Sequence, residues 1–310
     1  MPKVNQCTAP KMIPFTTFDE YKEKYKRLFV MDRTESGVLT ARWYDEETGG
    51  PAFWDYPLHR AIGQLCADVA QDAETEVLII GGTGDQFLAL GPTSLPEDAE
   101  TQRWALYEHS YFDGCRMLEG LVNVVEQPTI GIINGFASHS EIATLCDITL
   151  MAEDAQIFDG HFAIAGGLFG DGIQIALREL MGVKRANYAM LLGKPISAQE
   201  ALELGLVNEV LPREKLYDRA RELGEIIAKK PRVGRRMLAQ TMRMPWKEQF
   251  AKELRTTFGQ EMWCMMASRV THDEAFAMMA DQHKLWAEDP NAISGVCMTD
   301  DDHGTGFPKE

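Results

Sequence analysis

The chain has 310 residues, of which 45% are hydrophobic and 25% charged, a composition typical of a soluble globular protein. Its net charge of -16 argues against nucleic acid or an anionic membrane as a partner, because either would repel such a surface. Small neutral or weakly charged molecules remain the expected substrates.

The cysteines indicate a reducing compartment. There are six, at positions 7, 66, 115, 146, 264 and 297, and none forms a C-x-x-C pair. Residues 1–15 lack the apolar core of a signal peptide, and the longest apolar runs, such as 77–80, are far shorter than the roughly 18 residues of a membrane span. We therefore expect a cytoplasmic protein without membrane segments.

The pattern of elements divides the chain into four parts. Residues 1–28 read as an N-terminal arm and helix, 29–212 as the core, 213–299 as a helical region rich in Met and Trp, and 300–310 as a polar tail.

The first half of the core has a βαβ pattern. Thr17, with Glu20 three residues later, predicts the start of a helix, and two strands follow at 29–31 and 38–44. Trp54 heads a helical pattern that runs to about residue 72, and residues 76–80 form a short apolar strand that ends in Gly-Gly-Thr-Gly. This glycine run lacks the Lys-Ser/Thr of a phosphate-binding loop, so we interpret it as an ordinary turn at a strand end.

The segment 134–171 carries most of the chemistry. An apolar strand at 129–133 ends in Asn-Gly, after which His139 and Glu141 open a short helix. A second strand at 147–151 leads to a Gly-rich loop that presents His161 and Asp171. Two imidazoles and a carboxylate at strand ends are suited to proton transfer near neutral pH, since His titrates there without help. Asp171 has a second possible role as the cap of a helix that begins at residue 172.

A metal site is not expected. His139-Ser-Glu141 and Asp159-Gly-His161 contain ligand types, but no H-E-x-x-H or Cys/His spacing is present. We predict a site without metal or cofactor.

Four segments resemble the crotonase (enoyl-CoA hydratase/isomerase) superfamily. They are 76–87 (Glu-Val-Leu-Ile-Ile-Gly-Gly-Thr-Gly, then Gln-Phe), 128–135 (Pro-Thr-Ile-Gly-Ile-Ile-Asn-Gly), 146–148 (Cys-Asp-Ile) and 192–210 (beginning Leu-Gly-Lys-Pro-Ile-Ser-Ala-Gln-Glu). The resemblance implies an α/β fold, a crotonase-like spiral of ββα units with a C-terminal helical trimerisation region. It also implies a homotrimer or a dimer of trimers, which is a hexamer.

The sequence departs from members of that superfamily that act on CoA thioesters. Their Gly-Gly-Gly before the residue matching Glu141 is replaced here by Ser138-His139-Ser140, and Pro92, which has no N–H to donate, follows the first glycine turn. The second Glu that hydratases need is absent, because His161 stands near its position. A plain enoyl-CoA hydratase is therefore not expected.

A narrower resemblance is to the 6-oxocamphor hydrolase-like β-diketone hydrolases of the superfamily. It lies in Asn-Gly, His139, Phe-Asp-Gly-His-Phe at 158–162 and Gly-Asp-Gly at 170–172. It implies a catalytic dyad of His161 and Asp171 and a carbonyl-binding His139. The residues it implies for substrate binding are Trp54, His59 and Glu261, and Glu141 stands at the position that matches the superfamily's Glu. Phe87 is a further candidate for substrate binding, because Phe87, Phe136, Phe162 and Phe169 suggest an apolar pocket, with a place in the core as the alternative for each.

The function that this resemblance implies is hydrolysis of a C-C bond of a small 1,3-diketone by a retro-Claisen reaction, with water activated by the His-Asp dyad. The main alternative is a crotonase-fold enzyme acting on an acyl-CoA as a thioesterase, isomerase or decarboxylase. A non-catalytic scaffold of the same fold is the third reading.

Overall fold

The computed structural model describes residues 13–89, 99–162 and 167–267, together with eight residues between 277 and 289. Residues 1–12 of the predicted arm, Pro92 and the predicted tail at 300–310 lie outside the described residues. No described helix is long and apolar enough to cross a membrane.

A six-stranded sheet with the order β1-β2-β3-β4-β5-β8 organises the chain. The strands are β1 (Phe29–Arg33), β2 (Val38–Trp43), β3 (Val77–Gly82), β4 (Thr129–Ile133), β5 (Ile148–Ala152), β6 (Gln156–Ile157), β7 (Ile196–Ser197) and β8 (Glu209–Leu211), and β6 pairs with β7 apart from the sheet. β1 is antiparallel to β2 and the other neighbours in the sheet are parallel. β3 and β4 are buried along their whole length, as expected of apolar strands inside a parallel sheet.

Helices connect and cover the strands. They are α1 (Phe18–Tyr25), α2 (Tyr56–Gln71), α3 (Ala99–Ala105), α4 (Asp113–Glu119), α5 (Glu141–Thr144), α6 (Ile173–Met181), α7 (Val183–Leu192), α8 (Ala198–Leu204), α9 (Leu216–Ala228), α10 (Arg232–Met242), α11 (Met244–Gln249) and α12 (Arg255–Ala267). Segments of π-helix at Leu106–Phe112, Gly120–Val124 and Phe250–Leu254 continue α3, α4 and α11, and a 3-10 turn precedes α9. The described residues therefore form the mixed α/β fold that the sequence predicts.

Two helix starts compare directly with the predictions. Thr17 and Glu20 form the predicted capping box of α1. Trp54, however, lies before α2 and not at its head. The reason is that the carboxylate of Asp55 accepts the N–H of Leu58 at 3.1 Å and so caps the helix one residue later.

The turn after β4 is fastened to the turn after β3. Asn134 Nδ2 donates to the carbonyl oxygens of Gly84 and Gln86, both at 2.9 Å. A Cβ at Gly135 would lie 1.9 Å from the carbonyl oxygen of Asp85, so only glycine fits there. The predicted Asn-Gly turn thus brings the carboxyl ends of β3 and β4 together, and the Gly-Gly-Thr-Gly turn serves as part of this structural contact.

A buried arginine anchors the C-terminal helices at the other edge of the sheet. Arg243, 1% exposed, donates to Asp147 just before β5 and to the carbonyl oxygen of Gln127 just before β4. The division of the chain at residue 213 and a trimerisation role for the C-terminal helices stay predictions.

Candidate active site

The two sequence-predicted imidazoles lie together at the carboxyl edge of the sheet. His139 stands six residues beyond the end of β4 and just before α5, while His161 follows the short strand β6. Their ring centroids are 5.7 Å apart and their planes are nearly perpendicular, at 78°. The loops after neighbouring parallel strands thus build one cluster, as the positions at strand ends predict.

His139 is surrounded by carboxylates and an indole. Its Nδ1 lies 3.2 Å from Glu141 Oε1 and 3.2 Å from Asp171 Oδ2, and its ring stacks on Trp54 at 4.2 Å. Burial alone lowers the pKa of His139, but the two carboxylates outweigh it and raise that pKa to about 9. His139 is therefore an imidazolium near neutral pH, and so a donor of hydrogen bonds.

His161 is held by a carboxylate of its own loop. Its Nδ1 lies 3.0 Å from Asp159 Oδ2, and its backbone N–H donates to Asp159 Oδ1 at 3.0 Å. The side chain of His161 is 21% exposed, against 9% for His139. Burial lowers the pKa of His161, but Asp159, Glu261 and Asp171 together raise it well above 6.5.

The pairing of the predicted dyad differs in the structure. Asp171 is in the cluster, but its hydrogen-bond-distance contact is to His139 and not to His161. The local reason is that Asp159, two residues before His161, turns back onto it as Asp side chains do in Asx turns. Burial raises the pKa of Asp171, but the hydrogen bond from His139 and the charges of both imidazoles lower it to about 2.

Glycine fixes the position of Asp171. Gly172 has φ +104°, a conformation that favours glycine, and a Cβ there would lie 2.7 Å from Leu118 Cδ1. This residue caps α6, which begins at Ile173, so Asp171 is delivered just ahead of the helix and beside His139.

Glu261 reaches the site from α12 of its own chain. Its Oε2 accepts the N–H of Gly170 at 2.8 Å, and its Oε1 lies 3.8 Å from His161 Nε2. The side chain is buried, and burial together with the charge of Asp171 raises the pKa of Glu261 to about 8 against the opposing effect of His161. The site therefore favours the protonated form of Glu261. At 4% exposure, Glu261 is not a surface residue.

His59 is buried behind Trp54. The two rings meet edge to face at 4.4 Å, and His59 Nδ1 lies 2.8 Å from the carbonyl oxygen of His109. Because that oxygen only accepts, Nδ1 carries the proton. Burial lowers the pKa of His59 to about 4, so this imidazole is neutral and supports Trp54 without adding charge.

The aromatic side chains that were candidates for the lining of a pocket differ in how deeply they are buried. The ring of Phe87 is fully buried and packs edge to face on Trp43 at 4.9 Å, which is the environment of a core residue. Phe136 is likewise buried, whereas Phe162, beside His161 in the chain, is 42% exposed. Of the two places that the sequence allows for Phe87, this environment favours the core.

Three donors could in principle hold a metal ion. Among the described residues, one ligand atom from each of His139, His161 and Asp171 lies within 4.8 Å of the others. Zinc-nitrogen and zinc-oxygen bonds are about 2.1 Å, so two ligands of one ion are at most about 4.2 Å apart. The 4.8 Å limit slightly exceeds this distance, so the three side chains remain candidates for binding a metal ion.

Asp159 is the residue whose role the sequence did not reveal. It stood out only as part of a possible ligand motif, yet the spacing Asp-Gly-His is a usable signal for a turn in which Asp folds back.

A cavity of about 570 Å³ lies elsewhere, at the amino ends of β4 and β5, where Asp147 and Leu238 are among its lining residues. It is remote from the imidazoles.

Known proteins share both the fold and parts of the sequence. The structure of a β-diketone hydrolase from the cyanobacterium Anabaena sp. PCC 7120, bound to (S)-3-oxocyclohexyl acetic acid, superposes with a TM-score of 0.70 at 28% identity, covering 78% of this chain and 95% of that one. Enoyl-CoA hydratase domain-containing protein 3, mitochondrial, of Rattus norvegicus is 29% identical over 175 residues, 54% of this chain and 56% of that protein. Carnitinyl-CoA dehydratase of Salmonella enteritidis is 30% identical over 173 residues, 53% of this chain and 62% of that protein.

The matches to curated relatives are partial in length. The aligned regions span 65%, 56% and 64% of the first three such relatives, so what those proteins do does not transfer as a whole. The profile of the Enoyl-CoA hydratase/isomerase family matches residues 58–288, three quarters of the chain. The chain belongs to the enoyl-CoA hydratase/isomerase (crotonase) family.

Proposed function

We propose that this enzyme hydrolyses a C-C bond of a small 1,3-diketone. The observation that carries the proposal is the pair of imidazoles, 5.7 Å apart, each with Nδ1 against a buried carboxylate. The similarity to the β-diketone hydrolase from Anabaena supports it.

The reaction is a retro-Claisen cleavage and makes two demands on a site. Water adds to one carbonyl, and the resulting tetrahedral oxyanion collapses by expelling the enolate of the other carbonyl. The site must therefore deprotonate water and stabilise negative charge on oxygen.

His161 acts as the general base. It is the more exposed of the two imidazoles, and its Nε2 lies 3.8 Å from Glu261, too far for a hydrogen bond. When the ring is neutral, its Nε2 lone pair is thus free to accept a hydrogen bond from a water molecule beside Glu261. With Nδ1 facing a carboxylate, the ring can take the proton of water as the His of a Ser-His-Asp triad takes that of serine.

His139 and Trp54 act as the electrophilic partners. Because His139 is an imidazolium, it donates to the attacked carbonyl and to the oxyanion formed from it, and the indole N–H of Trp54 donates to the second oxygen. One such donor contributes about 3 kcal/mol to transition-state stabilisation. These side chains replace the backbone donors that a Gly-Gly-Gly stretch supplies in relatives that act on CoA thioesters.

Glu261 or His161 completes the reaction. The enolate carbon needs a proton, and both Glu261, whose pKa is raised to about 8, and the His161 imidazolium hold one after the first step. A cyclic diketone gives a keto acid and a linear one gives a ketone and a carboxylic acid, and neither CoA nor a metal takes part in the proposed steps.

Chemistry on an acyl-CoA is the second candidate, because the curated relatives carry names of CoA hydratases and dehydratases. A thioesterase, isomerase or decarboxylase would fit that family context. The presence of His161, where a hydratase needs a second Glu, favours the diketone.

A homotrimer, or a dimer of trimers, is the proposed assembly. Apolar side chains on α10 are exposed in the single chain, with Val233, Met237 and Met242 each at 66%, and burying them would stabilise an oligomer. Light scattering at micromolar concentration tests this assembly: a monomer would contradict it.

A substrate panel tests the function. The enzyme is incubated with cyclic and linear 1,3-diketones in buffer free of CoA, and separately with crotonyl-CoA, and products are followed by mass spectrometry. We expect cyclic diketones to gain one water as ring-opened keto acids and linear ones to split into a ketone and an acid. Turnover of the thioester alone would reject the proposal in favour of the second candidate.

A further inference from the structure

We propose that Asp159, and not Asp171, is the positioning residue of His161, and that Asp171 acts on His139 instead. This assignment deepens the proposed function and depends on it for its kinetic consequences alone. It makes the site two carboxylate-imidazole pairs in place of one dyad and a lone carbonyl-binding His.

The first argument is the two-point contact between Asp159 and His161. Oδ1 of Asp159 accepts the backbone N–H of His161 at 3.0 Å, while Oδ2 lies 3.0 Å from Nδ1 of the ring. The backbone contact orients the carboxylate independently of the ring, so the ring has a fixed acceptor beside Nδ1.

The second argument is burial. The side chain of Asp159 is 2% exposed, and among the residues that the structure describes it makes its hydrogen-bond and ion-pair contacts with His161. A buried carboxylate needs such partners. Because Asp159 is buried, water does not screen its interaction with His161. Among the described residues, no Lys or Arg lies within ion-pair distance of Asp159, where it would compete with the imidazole.

The third argument is the tautomer. A carboxylate only accepts, so the proton of a neutral His161 sits on Nδ1, next to Asp159. The lone pair is then on Nε2, the nitrogen that faces the gap before Glu261. Asp159 therefore selects the tautomer that a base directed at water needs.

The fourth argument is where Asp171 lies. Its Oδ2 is 3.2 Å from Nδ1 of His139, which also faces Glu141 at 3.2 Å. Asp171 thus serves to keep His139 charged as a donor, and it acts on His161 only through its charge.

The groups that face His161 define the expected pH behaviour. They are Asp159 from its own loop, Glu261 from α12, Asp171 from the loop before α6, and the imidazole of His139. Removing the charge of Asp159 takes away the carboxylate in direct contact, so it moves the titration of His161 to lower pH by more than removing that of Asp171.

The test compares Asp159→Asn with Asp171→Asn. In Asp159→Asn the amide oxygen can keep the backbone contact, which leaves the NH₂ group facing Nδ1 and forces the proton of the ring onto Nε2. We expect kcat to fall by about 10³- to 10⁴-fold, as for a wrong tautomer in a Ser-His-Asp triad. Asp171→Asn weakens the donor His139 without removing it, so its loss stays below the about 10²- to 10³-fold of a deleted oxyanion donor.

A control and a spectroscopic readout separate positioning from folding. Asp218→Asn makes the same chemical change at an exposed site on α9 and should leave kcat unchanged. Nitrogen-15 NMR of His161 should show the Nδ1–H tautomer at high pH in the wild type, in Asp218→Asn and in Asp171→Asn, and its loss in Asp159→Asn.

The proposal is overturned if Asp171→Asn abolishes that tautomer, or if Asp159→Asn folds and keeps wild-type kcat and pH profile. If Asp159→Asn fails to fold, the Asp171→Asn spectrum still decides. The spectra need no substrate, so a wild type inactive on every diketone would reject the function and leave the His161 assignment to be judged by NMR.

Discussion

The indole of Trp54 lies flat against the imidazole of His139, with ring centroids 4.2 Å apart and planes inclined by 29°. A cationic imidazole over an aromatic face is stabilised by the electrons of the ring. His59 in turn meets Trp54 edge to face, and this sets the orientation of the indole.

Replacing Trp54 with Phe should slow the reaction without displacing His139. The aromatic face remains, but the N–H that donates to a substrate oxygen is lost, so kcat should drop on the order of 10²-fold. Trp263→Phe, at a side chain that is 71% exposed, is the matched control. Equal kcat in the two variants would remove Trp54 from the proposed mechanism.

His161→Ala should abolish most of the activity. Without the base, water is not deprotonated, and we expect kcat to fall by several orders of magnitude, towards the upper end of the about 10²- to 10⁴-fold typical of general base catalysis. Circular dichroism of the variant checks that the fold is retained. Steady-state turnover at the wild-type level would disprove the role.

The acid limb of the pH-rate profile should lie at higher pH than a free imidazole predicts. From the sequence alone, kcat/KM should fall as pH drops through about 6.5, the reference value for His. The structure moves this limb upward, because Asp159, Glu261 and Asp171 raise the pKa of His161 well above 6.5 and the base works only when neutral. A pH profile of kcat/KM checks the position of the limb, and a midpoint at or below 6.5 would contradict it.

The same shifts make the protein less stable as pH rises. The pKa of His139 is raised to about 9 in the folded chain against 6.5 for a free His, so its contribution is complete below 6.5 and is lost as pH rises towards 9. Denaturant unfolding at pH 6.5 and pH 9 should show a lower free energy of unfolding at the higher pH, and His139→Gln should reduce the difference. An unchanged difference in that variant would assign the effect to other groups.

Removing Arg243 should unfold the protein readily. Its guanidinium is buried and pairs with Asp147, so Arg243→Met leaves a carboxylate without its partner at a cost of about 3 to 5 kcal/mol. Arg27→Met, which breaks an exposed pair with Glu46, should leave the stability almost unchanged, because solvent screens such a pair. Denaturation midpoints give both values, and equal effects would show that Arg243 does not hold the C-terminal helices to the sheet.

The strands of the sheet could be predicted because each is encoded by a short apolar run with turn residues beside it. The apolar runs that became β3 and β4 are bounded by glycine turns, and the Asn134-Gly135 turn is required by a contact that admits no side chain. The strand ends then place His139 and His161 in one cluster by topology alone.

Side-chain pairing within the cluster could not be read from the same pattern. Which carboxylate faces which imidazole depends on the turn from Asp159 to His161 and on the φ of Gly172, and loop conformations leave little trace in residue type. An aromatic side chain suits both a pocket and a core, so residue type alone left both places open for Phe87, whose ring packs in the core against Trp43.

Reaction in ¹⁸O-labelled water with a cyclic 1,3-diketone and no CoA tests the central claim most directly. The account predicts one stable ¹⁸O in the carboxylate of a ring-opened keto acid, formed by the wild type and not by His161→Ala. Recovery of unopened diketone from the wild type at every pH, or the same labelled acid formed at an equal rate by His161→Ala, would contradict it.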